Sequence, residues 1–168
     1  MFLIATTLLL LQTATTAPQA PPPNPCAQPE YRQLDVWVGD WDVYGPKGKL
    51  AGRNTITREY GGCVVQEHWV GQGGMSGSSF NTYEPATGRW HQVWVDNGGT
   101  FLTLAGRRDG EAIAMDGDMP TRTGKVKHSL RLTPREGGKV HQLWRTSADE
   151  GKTWTVVFDG TYVRRPLE

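Results

Sequence analysis

Residues 81–96 read NTYEPATGRWHQVWVD, and this stretch decides the fold class. Two runs rich in aromatic and β-branched residues flank the segment EPATG at 84–88, whose proline and glycine are typical of a tight turn. The stretch therefore predicts a β-hairpin with strands at 77–84 and 89–96. Strands joined by so short a connection run antiparallel.

Turn residues separate strand-like runs along most of the chain. All 21 glycines lie at or after Gly39, between short runs rich in Val, Thr and Trp. A short helical turn is predicted at 30–35. The predicted strands are 36–44, 50–58, 62–70, 77–84, 89–96, 100–106, 111–116, 125–133, 138–146 and 153–164. About ten antiparallel strands without covering helices predict an all-β fold, which we interpret as an up-and-down barrel, with a sandwich as the alternative.

The first 29 residues differ in composition from the rest. Residues 2–11 form an apolar run of signal-peptide length, too short for a membrane anchor. The segment 18–29 holds six of the eleven prolines and predicts an extended tether. We divide the chain into a signal peptide (1–20, with cleavage after residue 17 as an alternative), a proline-rich tether (21–29) and a barrel domain (30–168). We therefore expect an exported protein, periplasmic or secreted, with no transmembrane anchor.

The chain has two cysteines, Cys26 and Cys63. In an exported protein two cysteines are expected to pair. A bridge closing a loop of this length stabilises a fold by roughly 3 to 4 kcal/mol in the chain-entropy model. The sequence therefore predicts a Cys26–Cys63 disulfide.

Charge and motifs exclude several functions. The net charge of +1, from 18 basic and 17 acidic residues, argues against nucleic acid as a partner. The sequence has no G-x-S-x-G, no Cys/His nucleophile pair, no phosphate loop and no dinucleotide fingerprint. An ordinary hydrolase, nucleotide-binding or dehydrogenase chemistry is therefore not expected.

Residues 147–154, SADEGKTW, resemble the Asp-box, S-x-D-x-G-x-T-W. In such a turn the Asp side chain accepts backbone N–H bonds, the Gly takes a positive φ and the Trp packs under the hairpin. We therefore assign structural roles to Asp149, Gly151 and Trp154. The motif is best known in sialidase propellers, but one copy cannot build a propeller, so glycosidase activity is not implied.

A second resemblance concerns the ends of the barrel. Gly39 and Trp41 form a Gly-x-Trp on the first predicted strand, and Arg164 and Arg165 end the last one. This pattern resembles the calycin superfamily of lipocalins and their relatives. The resemblance implies that Trp41 closes one end of the barrel and that a last-strand Arg stacks on it through a cation–π contact.

The stretch 35–99 also resembles bacterial lipocalin-like proteins that carry a domain of unknown function. The matching segments are 36–43, 61–63, 67–69 and 83–90, the last running into 93–96. This resemblance implies a barrel with a cavity and no particular activity. Nitrobindins, more distant ten-stranded relatives, bind haem through a His on a late strand. Residues 154–163 contain no His, so we expect no haem and no other cofactor.

Alternation along the strands sorts the side chains onto two faces. One face is aromatic with a few amides and one carboxylate, the expected lining of a small-ligand cavity. We predict that this face points inward and binds a ligand; its members are Glu67, Trp69, Asn81, Tyr83, Trp90, Gln92, Trp94, Gln142 and Trp144, with Val140. In the opposite orientation His68, His91 and His141 would point inward and could form a metal site. We do not predict a metal site. We also interpret the acidic segments 96–99 and 116–118 as ordinary turns rather than calcium loops.

The function predicted is binding of a small apolar or aromatic molecule by a monomeric or homodimeric barrel. One alternative is a small lyase, isomerase or cyclase that uses Glu67 as acid or base, assisted by Tyr83 or His68, because a carboxylate among Trp side chains is disfavoured in its charged form. In a purely structural interpretation, Glu67 forms a hydrogen bond with Gln92 or Asn81, or its side chain faces solvent. Another alternative is a cell-envelope interaction module whose barrel is filled.

Overall fold

The chain folds into a closed barrel of ten antiparallel strands, in a computed structural model that describes residues 23–166. Each strand pairs with its neighbours in sequence, and β1 pairs with β10 to close the barrel. The predicted fold class is confirmed. The strands are β1 (Gly39–Tyr44), β2 (Leu50–Glu59), β3 (Val64–Gly71), β4 (Ser76–Glu84), β5 (Arg89–Asp96), β6 (Phe101–Asp109), β7 (Ala112–Thr121), β8 (Gly124–Arg135), β9 (Lys139–Ser147) and β10 (Thr155–Arg164).

The chain before β1 covers one end of the barrel, which we call the closed end. Two short 3-10 helices, Pro25–Ala27 and Pro29–Arg32, are followed by turns up to residue 37. Leu34 and Trp37 are fully buried against the barrel core. The helical turn predicted at 30–35 thus begins earlier and is a 3-10 helix, and the predicted tether is folded in its described part, because proline starts both helices. The predicted signal peptide lies outside the described residues.

The two cysteines form the predicted disulfide, which ties this N-terminal segment to the barrel. Cys26, in the first 3-10 helix, is bonded to Cys63, which follows the turn after β2. Asn24 donates a hydrogen bond from Nδ2 to the carbonyl oxygen of Gly61, 2.6 Å away in that same turn. The covering segment is therefore attached by a covalent link and a hydrogen bond side by side.

Trp41 and Arg164 interact at the closed end as the resemblance implied. The guanidinium carbon of Arg164 lies 4.4 Å from the centre of the Trp41 ring, and Trp41 Nε1 donates to the Trp37 carbonyl at 2.8 Å. Gly39 has a φ of +142°, and a Cβ there would collide with the Arg164 guanidinium. The backbone N–H of Arg165 donates to the carbonyl of Asp40. Only a glycine at 39 leaves room for this stack.

The turn between β9 and β10 has the internal bonding expected of the 147–154 motif. Asp149 Oδ1 accepts from the Ser147 hydroxyl at 2.7 Å and from the Thr153 N–H at 2.9 Å, and Oδ2 accepts from the Thr153 hydroxyl at 2.6 Å. These bonds, the Thr153 hydroxyl foremost, lower the pKa of Asp149 to about 2. Gly151 has a φ of +92°, and Trp154 Nε1 donates to its carbonyl. The Trp154 ring is exposed and lies against Arg145, so the expectation that it packs under the hairpin is wrong.

The β7–β8 hairpin differs most from its prediction. The segment 116–118, interpreted as a turn, lies inside β7, which continues to Thr121 and turns only at 122–123. Gly117 fits against the Thr103 carbonyl, where a Cβ would collide. The acidic residues and glycine that suggested a turn are instead held by pairing with β8, for example Asp118 with Lys127.

Among residues 23–166, no helix is long and apolar enough to cross a membrane. The connections at the closed end are 60–63, 85–88, 110–111 and 136–138. The opposite end, which we call the open end, carries the connections 45–49, 72–75, 97–100, 122–123 and 148–154.

Candidate functional site

A pocket occupies the half of the barrel toward the open end. Six of the nine predicted binding residues line it: Glu67, Trp69, Gln92, Trp94, Gln142 and Trp144. The remaining lining was not predicted and consists of Met75, Leu102, Leu104, Leu130, Phe158 and Tyr162. Its volume is about 50 Å³, measured as the space open to the centre of a water molecule. A single water needs roughly 10 to 15 Å³ by that measure, so a small organic group fits.

Glycines on neighbouring strands hold the aromatic walls of the pocket in place. The Trp94 ring lies over Gly77 and the Trp69 ring lies over Gly52, and in both cases a Cβ on the glycine would collide with the ring. Trp69 also meets Phe158 edge to face, with ring centres 5.5 Å apart. The walls are therefore fixed by sequence features of adjacent strands rather than by loops.

The indole N–H groups of two wall residues bond to the protein. Trp94 Nε1 donates to Asp96 Oδ2 at 2.9 Å, and Trp144 Nε1 donates to His128 Nδ1 at 3.0 Å. Since these polar atoms are satisfied by the protein, the rings offer the pocket their faces and carbon edges. The polar side-chain groups left in the lining are those of Glu67, Gln92, Gln142 and Tyr162, together with the Trp69 N–H.

A ladder of polar side chains crosses the barrel interior beside the pocket. On its near side Glu67 Oε2 accepts from Ser79 Oγ at 2.7 Å, and Glu67 Oε1 accepts from Asn54 Nδ2 at 2.7 Å. Asn54 Nδ2 is also 3.1 Å from the Tyr162 hydroxyl, which in turn donates to Gln142 Oε1 at 2.6 Å. The strand register creates this arrangement, because β3 pairs Glu67 with Ser79 of β4 and with Ile56 of β2, two residues from Asn54.

Glu67 is a buried carboxyl group without a counter-ion. Its side chain is 5% exposed, and no ion pair involves it among residues 23–166. Burial raises the pKa of Glu67, and the hydrogen bonds from Asn54 and Ser79 oppose that rise. The pKa of Tyr162 is also raised well above its usual value, by burial and by the nearby Glu67 charge. Glu67 and Tyr162 are therefore the two titratable groups of the pocket lining, and Glu67 is its only carboxyl group.

The other three predicted binding residues point inward but lie away from the pocket. Asn81 continues the ladder, donating to the Val65 carbonyl and to Ser79 Oγ, both at 3.0 Å. Trp90 donates to Gln33 Oε1 at 3.1 Å in the covering segment, and Tyr83 packs against Tyr31 with ring centres 5.5 Å apart. Their contacts place Trp90 and Tyr83 at the closed end.

The alternative orientation, with three histidines inside, is wrong. His68, His91 and His141 face outward and pair with Ser78, Glu84 and Asp159, at distances of 3.2, 2.9 and 2.8 Å. Within the described part of the chain, no three His, Cys, Asp or Glu side chains come together as a metal site would require. Only His128 of the four histidines is buried, and burial lowers its pKa.

The interior residues that were not predicted from the sequence show the same alternating pattern along their strands as those that were. Phe158, Gly160 and Tyr162 occupy every second position of β10, and Asn54 and Ile56 are buried at every second position of β2. Alternation predicts that such residues share a face, but it does not tell which side chains of different strands meet. That depends on the register.

No protein-family model matches this chain, and no curated protein is similar to it. Fold and site therefore stand on the sequence pattern and the geometry described above.

Proposed function

We propose that this protein binds a small molecule with a mostly apolar or aromatic body in the open-end pocket. The observation that carries the proposal is the lining: three Trp rings and a Phe surround one buried carboxyl group and two amides. Apolar walls with few polar groups are typical of ligand sites. Because glycines on neighbouring strands hold the Trp69 and Trp94 rings in place, the pocket has a preformed shape, which lowers the entropy lost on binding.

The disulfide and the apolar run at 2–11 together support action outside the cytoplasm. Disulfides persist mainly in oxidising compartments. We therefore propose that the ligand is met in the periplasm or outside the cell.

Intrinsic Trp fluorescence tests the binding proposal. A panel of small apolar and aromatic compounds is titrated into the protein, and at least one is expected to give a saturable change, because three of the seven Trp rings line the pocket. The Trp94→Phe variant should lose much of this change. The matched control is Trp154→Phe, since Trp154 lies in the β9–β10 turn under Arg145; it should retain the change. No saturable change with any compound, or a change lost only in Trp154→Phe, contradicts the proposal.

A second candidate function is catalysis by Glu67. The observation favouring it is a carboxyl group at the pocket wall whose pKa is raised by burial, a common property of general acids and bases. If a ligand found by fluorescence is converted on incubation, Glu67→Gln should abolish conversion even at ligand concentrations that saturate the variant. Conversion that persists in Glu67→Gln excludes this role.

A filled barrel serving only as an interaction module has less support. The pocket leaves open space among the wall side chains at the open end. Binding in the interior is therefore the better interpretation.

A further inference from the structure

We infer that the pocket selects a small organic cation, a protonated amine with an apolar or aromatic body, and that Glu67 is its counter-ion. This inference rests on the proposed binding function and names the chemical class of the ligand. Four features carry it: the direction of the hydrogen bonds around Glu67, an excess of acceptors, the absence of a protein cation in the pocket, and the aromatic walls.

The hydrogen bonds on one side of Glu67 all run toward it. Gln92 Nε2 donates to Asn81 Oδ1 at 2.9 Å, and Asn81 Nδ2 donates to Ser79 Oγ at 3.0 Å. Gln92 Nε2 also approaches Ser79 Oγ, at 3.4 Å. Because the Ser79 hydroxyl accepts these amide donors, its single proton is directed to Glu67 Oε2, 2.7 Å away. On this side the carboxyl group is an acceptor.

The other oxygen also meets only a donor. Asn54 Nδ2 donates to Glu67 Oε1 at 2.7 Å. An ionised carboxylate has about four acceptor positions, and the protein fills two of them. The same cluster leaves Asn54 Oδ1 buried without a partner. The cluster therefore has more acceptors than donors, and Glu67, which lines the pocket, keeps acceptor positions that an ammonium can fill.

Within the part of the chain that the structure describes, no protein group neutralises the carboxylate. The pocket lining contains no Lys, Arg or His. The groups that face Glu67 from neighbouring elements are Asn54 on β2, Ser79 on β4 and Tyr162 on β10, of which only Tyr162 is titratable. Tyr162 supplies no positive charge. An unpaired carboxylate in a pocket of this kind is costly, and a cationic ligand removes that cost.

The walls suit a cation as well as an apolar body. Trp69, Trp94 and Trp144 line the pocket, and the N–H groups of Trp94 and Trp144 are bonded to Asp96 and His128. Indole faces attract an ammonium through their quadrupole, by about 0.5 to 2 kcal/mol depending on desolvation. Burial alone would raise the pKa of Asp96 beside Trp94, but hydrogen bonds from Trp94, Thr100 and Gly98 together lower it, so a further negative charge stands near the rim.

Proton linkage gives the inference a distinct signature. In the empty pocket burial raises the pKa of Glu67. An ammonium favours the ionised form, so binding near that pKa releases a proton and amine affinity increases as pH rises through it. A neutral ligand lacks this pH dependence or shows the opposite one.

The test compares amines with neutral molecules of the same shape by isothermal titration calorimetry. Benzylamine is paired with benzyl alcohol, and isobutylamine with isobutanol, so that a size limit is not mistaken for a lack of charge selectivity. At neutral pH the amine of at least one pair should bind about tenfold more tightly than its alcohol. Glu67→Gln should abolish this preference. The matched control Glu111→Gln should keep it, because Glu111 is an exposed carboxylate in the turn between β6 and β7 at the closed end.

The outcomes separate this inference from the proposed function. Alcohols that bind as tightly as amines, or an amine preference that survives in Glu67→Gln, overturn the cation selectivity while the binding function stands. No binding by either pair or by the fluorescence panel overturns both. The pH dependence of amine binding to the unmodified protein requires no variant, so a failure of Glu67→Gln to fold leaves the test intact. On the unmodified protein, an amine affinity that does not exceed that of its alcohol at any pH, or that falls as pH rises through the pKa of Glu67, contradicts the inference.

Discussion

At the scale of single residues, Glu67 shows how a buried carboxyl group departs from what stability alone would select. The residue is buried beside aromatic rings and has no ion-pair partner among residues 23–166. A carboxyl group whose pKa is raised on folding binds protons more readily in the folded state than in the unfolded state. Its contribution to stability is therefore greatest below the pKa of the unfolded chain and decreases as pH rises through the folded pKa.

This sign leads to a prediction for Glu67→Gln. The amide is similar in size and does not ionise, so the variant lacks the loss of stability that the wild type undergoes as pH rises above the usual carboxyl pKa of 4.5. The difference in free energy of unfolding, variant minus wild type, should increase between pH 4 and pH 8. Each unit by which the pKa is raised contributes about 1.4 kcal/mol to that increase. Urea unfolding across this pH range measures it.

Glu111→Gln provides the control for the pH series, because it removes an exposed charge from the opposite end of the barrel. Its difference from the wild type should stay nearly constant with pH. A constant difference for Glu67→Gln as well would mean that burial does not raise the pKa of Glu67.

At the scale of elements, the β9–β10 turn is stabilised by the charge on one side chain. Three bonds from Ser147 and Thr153 reach the two carboxylate oxygens of Asp149. They are made best to the ionised form, which is why the pKa falls to about 2. A depressed pKa means that this stabilisation is complete above the unfolded pKa of the side chain and is lost as pH falls through about 2.

We predict that Asp149→Asn lowers the melting temperature at neutral pH and that the difference from the wild type shrinks as pH falls from about 4 toward 2. Differential scanning calorimetry over this range tests it. Glu150→Gln is the matched control, since Glu150 lies in the same turn and its carboxylate approaches Lys125 and Lys127, at 3.8 and 3.5 Å. An equal effect from both variants would assign the stabilisation to net charge rather than to the bonds of Asp149.

The elements also show where sequence reasoning succeeds. All ten strands were predicted, because glycine, proline and asparagine mark most of the turns and alternation marks the strands. β7 was cut short because Asp116, Gly117 and Asp118 carry a strong local turn signal. Pairing with β8 overrides that signal, an effect of tertiary context that a local pattern does not contain.

The sequence predicted which side chains point into the barrel, but not which side chains of different strands meet in the pocket. Alternation placed Glu67, Trp94 and Trp144 inside, and all three line the pocket. It also grouped Tyr83 and Trp90 with them, although these two lie at the closed end. The position of a residue along the barrel axis depends on strand tilt and register, and neither can be derived from the parity of a residue within its own strand.

At the scale of the whole molecule, the two ends of the barrel differ in structure. One end is closed by the N-terminal segment, the Trp41–Arg164 stack and the disulfide. The other end carries the pocket. We therefore expect the link between Cys26 and Cys63 to stabilise the fold without shaping the ligand site.

This separation leads to a prediction for the variant Cys26→Ser/Cys63→Ser. The disulfide closes a loop across a sequence separation of 37, and its loss should lower the free energy of unfolding by roughly 3 to 4 kcal/mol in the chain-entropy model. Urea unfolding gives this value. At low temperature, where the variant is folded, the fluorescence response to a pocket ligand should match that of the wild type.

Asn24→Ala separates the covalent link from the contact beside it. It removes two hydrogen bonds, the one that Asn24 donates to Gly61 and the one that it accepts from the Cys26 N–H at the start of the first 3-10 helix, and keeps the disulfide, so it should cost about 1 to 2 kcal/mol. Loss of the ligand response in the folded Cys26→Ser/Cys63→Ser variant would contradict this separation of the two ends. It would mean that the closed end controls the pocket through the polar ladder, which runs from Asn81 to Glu67 across the barrel. Trp90 joins Gln33 of the covering segment to β5, the strand that carries Gln92 and Trp94. Trp90→Phe, which removes that bond but leaves the disulfide intact, would then reproduce the loss.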